Sequence, residues 1–239
     1  MTTPFDRADR RIEILSAPQQ TMLDIDYTPY VELFDNAAMS TGMAVEMLPD
    51  SLRLYSFGRG RPCAFVVSGQ HGGERAGPIA LLEMVQSGDL PRFGSIYVCP
   101  IVSPIAWDMH ERSPNGINSN RTWSPRGSSA GVRVLMQRME KIRPDIFLDL
   151  HESDEEQPDH GRTHEIRHSG SPWGSALIDA LGSDLVGAKV DIRIPGSARM
   201  FAERLGVPAA ATVESCAYVS PDERLEFHKS VIRTVLGMG

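Results

Sequence analysis

The chain has few cysteines, no long hydrophobic run and no excess of positive charge. Its three cysteines lie far apart and are odd in number, which favours reduced thiols in a cytoplasmic protein over a disulfide framework. The apolar runs are too short to cross a bilayer, and the first sixteen residues hold no apolar segment before a cleavage site. We therefore expect a cytoplasmic protein with no membrane partner.

Several classes of function lack their sequence signals. Lysine and arginine total 24 against 31 aspartates and glutamates, and no basic cluster is long enough to follow a phosphate backbone. Nucleic acid is therefore not an expected partner. The chain also lacks a Gly-x-Ser-x-Gly elbow, a P-loop and a Rossmann fingerprint, so serine hydrolases and nucleotide-dependent enzymes have no signal here.

The order of apolar segments predicts an α/β fold. From about residue 62, short apolar runs alternate with amphipathic stretches, a pattern typical of a mostly parallel sheet flanked by helices. The predicted strands are Cys63–Ser68, Ser95–Ile101, Ile146–Leu150, Val190–Ile194 and Ala209–Val213.

Three helices have readable ends. One is predicted at Pro29–Met39 before a Gly42 stop, and another ends before Pro144, which cannot continue a helix. The last begins at Ser220, where Glu223 completes a capping box. We interpret residues 1–50 as an N-terminal extension that packs on a domain formed by residues 51–239.

Candidate metal ligands follow the first and the third of the predicted strands. His71 and Glu74 lie three residues apart in the glycine-rich segment Ser-Gly-Gln-His-Gly-Gly-Glu, and His151 follows a third apolar run. Imidazole and carboxylate both bind zinc, and glycines let the chain bend so that the two side chains converge. A lone His-x-x-Glu pair also arises by chance. Together the three residues would leave a tetrahedral zinc one open position, as in catalytic sites.

Two further features could serve chemistry at such a site. Glu214 ends an apolar run, and a buried carboxylate is costly without a partner or a function. Beside an activated water its natural role is general base, then general acid toward a leaving amine. A Gly-, Asn- and Pro-rich loop carries Arg112 and Arg121, whose planar guanidinium groups can hold a carboxylate. Most loops of this kind are surface loops with solvated arginines, and that interpretation stays open here.

The order, type and strand-end placement of these residues resemble the zinc carboxypeptidases, and within them the succinylglutamate desuccinylase/aspartoacylase-like branch. The resemblance covers about residues 60–215. It implies a three-layer α/β sandwich with a mixed, mostly parallel sheet flanked by helices. It also implies one zinc ion per chain, bound by His71, Glu74 and His151.

The resemblance further assigns roles around the metal. The segment Gly-Ile-Asn-Ser-Asn-Arg-Thr-Trp is similar to the family motif Gly-x-Asp-x-Asn-Arg-x-aromatic, with Asn118 in the place of the aspartate. By resemblance, Asn120 and Arg121 would hold the free carboxylate of the substrate, and Arg112 would polarise the scissile carbonyl. The segment leading to Glu214 looks like the helix and strand that precede the catalytic glutamate of the family.

The expected reaction is hydrolysis of an amide bond next to a free carboxylate. The main hypothesis is an N-acyl amino acid deacylase that acts on a small acylated amino acid. The alternatives are a metallocarboxypeptidase that releases C-terminal residues from peptides, and a zinc-dependent carboxylate-binding protein without catalysis.

Two other features are not assigned to the site. The acidic stretch Asp149–Asp159 is followed by His160, His164 and His168, which would share one face if helical and could then hold a second metal. Nearby glycines and Asp159 favour a solvated loop instead, able to act as a lid. Cys216 is interpreted as a structural, buried thiol.

Overall fold

The structure is a computed structural model that describes residues 24–153, 163–182, 186–190 and 192–237. These residues form one sheet, α-helices and short 3-10 helices. The strands are β1 (Ala44–Met47), β2 (Arg53–Arg59), β3 (Cys63–Val67), β4 (Gly94–Cys99), β5 (Ile146–Ser153), β6 (His164–His168), β7 (Val186–Val190) and β8 (Ala209–Cys216). The α-helices are α1 (Tyr27–Thr41), α2 (Ala76–Gln86), α3 (Pro104–Met109), α4 (Ala130–Ile142), α5 (Pro172–Leu181), α6 (Ala198–Arg204) and α7 (Pro221–Val235). The 3-10 helices are Pro49–Ser51, Pro114–Gly116 and Ser119–Arg121.

The sheet has the strand order β1-β2-β4-β3-β5-β8-β6-β7. Strands β4, β3, β5 and β8 run parallel to one another, and so do β6 and β7. The antiparallel pairs are β1 with β2, β2 with β4, and β6 with β8. The predicted mixed, mostly parallel sheet is confirmed.

Helices cover both faces of this sheet. Because side chains alternate along a strand, β3 sends Val66 into one core and Phe65 into the other. The first core includes residues of α1, α2, α5 and α7, and the second includes residues of α4 and α6. Complete burial of a side chain such as Phe65 stabilises the fold by about 1.5–3 kcal/mol. The predicted three-layer α/β sandwich is confirmed.

The three helices with readable ends form close to where the sequence predicts them. Helix α1 extends two residues beyond the prediction at each end and stops at Gly42, whose φ of 75° is a left-handed conformation that glycine adopts without strain. Helix α4 ends before Pro144. At the start of α7 the Ser220 side chain accepts a hydrogen bond from the Glu223 amide, and Glu223 Oε2 accepts one from the Ser220 amide at 3.0 Å, which completes the capping box. None of the described helices combines the length and apolar character needed to cross a membrane.

Two predictions on the β6–β7 side of the sheet are wrong. The predicted strand Val190–Ile194 is replaced by β7, which ends where that strand was expected to begin, and residues 192–194 lie outside any strand. Small residues at Gly187 and Ala188 weaken the apolar signal of β7. Residues 164–168, expected in a loop, form β6 because they pair with β8, a tertiary contact that local sequence does not reveal. The rest of that predicted loop, residues 154–162, lies outside the described residues.

The described part of the predicted N-terminal extension packs against the sheet. Tyr30 and Phe34 of α1 are fully buried in the first core. Strand β1 pairs with β2, and neither strand was predicted from the sequence. Residues 1–23 lie outside the described residues, and the division of the chain at residue 50 stays a prediction.

His164 on β6 is buried as a neutral ring against α7. Its ring stacks on Phe227 with centroids 4.0 Å apart, and burial lowers the pKa of His164 to about 4. Histidine in an unfolded chain titrates near 6.5. Between pH 6.5 and 4 the unfolded state therefore binds more protons at this position, and the free energy of unfolding falls as the pH is lowered.

Substitution of His164→Phe keeps the aromatic stack and removes this titration. As the pH falls from 6.5 to 4, we expect the parent to lose up to about 1.4 kcal/mol per pH unit relative to the variant. Urea unfolding of both proteins across this range measures the difference. Stability curves that stay parallel would contradict a neutral, buried His164.

Candidate functional site

The loop after β3 carries His71 and Glu74 to the edge of the sheet. Its path requires glycine at position 72, because a Cβ atom there would lie 1.6 Å from the carbonyl oxygen of Ala106. The Gly72 amide also donates a hydrogen bond of 2.8 Å to the carbonyl oxygen of Glu111. The loop therefore lies directly against α3, and this contact fixes the backbone between the two candidate ligands.

The three predicted metal ligands converge on one point. The Glu74 carboxylate lies between two imidazoles, with Oε1 2.6 Å from His71 Nδ1 and Oε2 2.6 Å from His151 Nδ1. Ligand atoms of the three residues all lie within 4.8 Å of one another, and the residues are buried. His151 lies inside β5, which continues to Ser153 instead of ending before His151 as predicted.

Each imidazole also has an oxygen partner at its far nitrogen. His71 Nε2 lies 3.0 Å from Asn118 Oδ1, and His151 Nε2 lies 3.0 Å from Asp149 Oδ1. Metal-bound histidines typically donate this second ring N–H to an oxygen, which leaves the other nitrogen unprotonated for the metal. Two Nδ1 atoms and one carboxylate thus face a common point with suitable supporting partners. The donor set fits a metal cation.

A chain of buried hydrogen bonds fixes the side chain of Asp149, the partner of His151. Gln70 Nε2 donates to Asp149 Oδ1 at 2.6 Å, and Trp123 Nε1 donates to Gln70 Oε1 at 2.8 Å. Neither Asp149 nor Gln70 was predicted as a site residue from the sequence. A signal for Asp149 was present, because it precedes His151 by two residues in one strand and strand side chains two apart share a face.

Charged groups within the site strongly shift the pKa values of Glu74 and His151. Burial would raise the pKa of Glu74, but the adjacent imidazoles of His151 and His71 outweigh it and hold that pKa well below its usual range. Burial would lower the pKa of His151, but Asp149 and Glu74 outweigh it and hold that pKa well above its usual range. The carboxylates of Glu74 and Asp149 thus favour positive charge beside them, whether on His151 or on a bound cation.

The loop between α3 and α4 places two more predicted site residues, Arg112 and Asn120, against the ligands. Arg112 Nη1 forms an ion pair of 2.8 Å with Glu74 Oε1. Asn120 is buried, with Nδ2 3.0 Å from His151 Nε2 and Oδ1 accepting from the Ala198 amide at 3.0 Å. The loop is therefore integrated into the site and is not merely a solvated surface loop.

Arg121 is exposed and lies near two other arginines. Its Nη1 donates to the carbonyl oxygen of Asn120 at 2.7 Å. Burial of part of the side chain lowers the pKa of Arg121, and the like charges of Arg112 and Arg167 lower it further. The carboxylates of Asp149 and Glu214 oppose this decrease, so Arg121 lies among charges of both signs.

Glu214 lies on β8 as the direct neighbour of His151 on β5. Its carboxylate is buried and forms an ion pair of 3.2 Å with Arg167 Nη1. Burial raises the pKa of Glu214 above its usual range, while His151 and Arg167 oppose that increase. Arg167 had no signal in the sequence, because β6 itself was not predicted.

The chain resembles known proteins at the level of three-dimensional structure. No model of a protein family matches the chain, and no curated protein matches it. Solved structures do match. A protein from Shewanella denitrificans, provisionally named a metallopeptidase, has a TM-score of 0.71 at 19% identity, covering 87% of this chain and 88% of its own. A metallo-carboxypeptidase from Burkholderia cenocepacia has a TM-score of 0.71 at 14% identity, covering 87% of this chain and 67% of its own.

A third match is a metallo-carboxypeptidase from Pseudomonas aeruginosa in complex with (2-guanidinoethylmercapto)succinic acid, with a TM-score of 0.67 at 17% identity. It covers 87% of this chain and 68% of its own. At these identities the similarity defines the fold. The chain thus has the metallocarboxypeptidase-like α/β fold, with a candidate metal site on it.

Removal of the two histidines tests the candidate metal site. The purified parent, supplied with zinc, is expected to hold about one metal ion per chain, and the His71→Ala, His151→Ala double variant none, because one carboxylate alone makes a weak site. Elemental analysis measures both. His110→Ala, at an exposed histidine on the loop after α3, is the matched control and should keep the metal. Equal metal in parent and double variant, or none in either, would contradict the site.

Proposed function

We propose that the protein is a zinc-dependent hydrolase that cleaves an amide bond next to a free carboxylate. The observation that carries this proposal is the convergence of His71, Glu74 and His151, with Glu214 on the adjoining strand in register with His151. The fold shared with proteins named as metallo-carboxypeptidases supports the same class of reaction.

Zinc is the ion that the donor set suits best. Imidazole nitrogen and carboxylate oxygen are both common zinc ligands, and three protein ligands leave a further position open, as catalytic zinc sites do. When bound, zinc polarises a carbonyl group and makes a water molecule more acidic. His71, Glu74 and His151 would hold it.

Glu214 is the proposed proton carrier. It would take a proton from the attacking water and then deliver it to the nitrogen of the leaving amine. Its place next to His151 puts the carboxylate beside the ligand set. Arg112, whose side chain is half exposed beside Glu74, would donate to the carbonyl oxygen as negative charge develops there.

Asn120 and Arg121 are proposed to hold the free carboxylate of the substrate. A guanidinium group can donate two parallel hydrogen bonds to a carboxylate, and an amide can add a third. The positive charge of Arg112, which acts on Arg121, would strengthen binding of an anionic group. The substrate carboxylate would thereby be fixed near the scissile bond.

Two substrate classes meet these requirements, and they differ in what lies on the acyl side of the scissile bond. An N-acyl amino acid deacylase would accept a small acyl group there, as the sequence resemblance implies. A carboxypeptidase would accept a peptide, as the names of the structural neighbours favour. We propose the deacylase and retain the carboxypeptidase as the second candidate.

Product analysis on a mixed panel of N-acyl amino acids and peptides separates these functions. Release of a free amino acid from acylated amino acids alone supports the deacylase. Release of C-terminal residues from peptides instead supports the carboxypeptidase. Zinc-dependent binding of carboxylate ligands without hydrolysis across the panel would replace both with a binding protein.

Substitution of Glu214→Gln removes the proposed proton carrier and preserves shape. We expect it to keep bound zinc but to lower kcat by about a hundredfold or more, since an amide cannot accept the proton. Metal analysis and steady-state kinetics test this together. Glu83→Gln, which alters a surface ion pair with Lys229, is the matched control and should keep full activity. A fully active Glu214→Gln enzyme would overturn the assignment.

Substitution of Arg121→Ala removes the proposed carboxylate contact. Because a hydrogen bond to a charged group contributes about 1.5–3 kcal/mol, KM for carboxylate substrates should rise roughly tenfold to a hundredfold. Substrates with that carboxylate converted to an amide should be affected far less. Kinetics on matched carboxylate and amide substrates measure the contrast, and equal losses on both would contradict the contact.

A further inference from the structure

Four charged side chains of alternating sign form a row across β7, β6 and β8. The last of them is Glu214, the proposed proton carrier. Lys189 Nζ lies 2.8 Å from Glu165 Oε2, Glu165 pairs closely with Arg167, and Arg167 Nη1 lies 3.2 Å from Glu214 Oε1. We call these four residues the charge ladder. The ladder ends at the carboxylate that the proposed reaction needs.

Strand register places the ladder on the same face as the candidate metal site. Lys189 on β7 is in register with Arg167 on β6, and Glu165 is in register with Glu214 on β8. Glu214 is in turn in register with His151 on β5. Because register partners in a sheet face the same side, all these side chains lie on one surface with the ligand His151.

The charge ladder places a positive charge between two carboxylates that this register brings together. Glu165 and Glu214 occupy directly opposite positions on neighbouring strands, where two like charges repel each other. Their side chains are only 6% and 10% exposed, so water screens the repulsion poorly. The guanidinium of Arg167 contacts both carboxylates. Without that guanidinium, repulsion between the two carboxylates would favour a conformation in which Glu214 lies farther from Glu165.

We propose that Arg167 is a positioning residue that fixes the Glu214 carboxylate for proton transfer, with Glu165 and Lys189 fixing Arg167 in turn. The inference rests on the proposed function, because it assumes that Glu214 carries the proton. The contact engages Oε1 of Glu214, which leaves Oε2 to exchange the proton with water and the leaving nitrogen. The role differs from binding substrate, which is assigned to Asn120 and Arg121.

The kinetic test compares Arg167→Met, Arg167→Lys and Glu165→Gln with the parent. Loss of the guanidinium should lower kcat about tenfold to a hundredfold with KM changed less than about twofold, because misplacement of a reacting group by 1 Å can cost a hundredfold. Arg167→Lys, which keeps the charge, should recover part of that loss. Glu165→Gln leaves Arg167 in place with one fixed contact weakened, so a smaller loss of kcat is expected.

Arg138→Met is the matched control variant. Arg138 forms an ion pair with Glu46 on β1, at the other end of the sheet from β6. This variant removes a guanidinium from an ion pair without touching the site, and kcat and KM should stay at the parent values.

A raised KM with unchanged kcat in Arg167→Met would make Arg167 a substrate-binding residue and overturn the positioning role. Unchanged kcat and KM would overturn it too. Crystal structures of the parent and Arg167→Met supply a readout independent of activity. The Glu214 carboxylate should keep its contact with Arg167 in the parent and move in the variant, and an unmoved carboxylate overturns the inference. A parent that hydrolyses nothing on the panel refutes the proposed function instead, while the crystal structures still decide whether Arg167 positions Glu214.

Discussion

The Glu74 carboxylate, held between the imidazoles of His71 and His151, is the interaction around which the rest of the site is arranged. A buried carboxylate is costly unless it is paired. Here two ring nitrogens at 2.6 Å and the Arg112 guanidinium at 2.8 Å supply the pairing. The same arrangement suits a cation, because the ligand atoms already lie close enough together to bind a metal ion without a large movement of the chain.

Three neighbouring parallel strands deliver these groups to one edge of the sheet. β3, β5 and β8 all run in the same direction, so their carboxyl ends meet. The loop after β3 supplies two of the candidate ligands, β5 supplies the third, and β8 supplies Glu214. Ligand sites in α/β sheets commonly form at this edge for the same geometric reason. Helices on both faces then bury the strands, which makes the positions of the site residues rigid.

The two-residue period of the strands organises the surroundings of the site as well. Asp149 shares a face with His151, and Arg167 shares that face with Glu214. One face of the sheet is thereby polar near the site, while the alternate positions Leu150 and Val213 belong to the apolar core on the other side. The same strands thus contribute to the core and to the site. Solved structures with less than 20% identity share this fold at a TM-score of 0.71, because many different side chains can fill a core of the same shape.

The sequence by itself determined the fold class, the three helices with readable ends and the candidate ligands His71, Glu74 and His151. These follow from local signals: apolar runs, a capping box, a proline stop and residue types at strand ends. The tertiary structure alone decided the placement of β6 and β7 and therefore the contact between Arg167 and Glu214. β6 is mostly polar, and it becomes a strand through pairing with β8, which lies far along the chain. Local propensity does not encode such pairings, since their free energy comes from hydrogen bonds and charges supplied by distant segments.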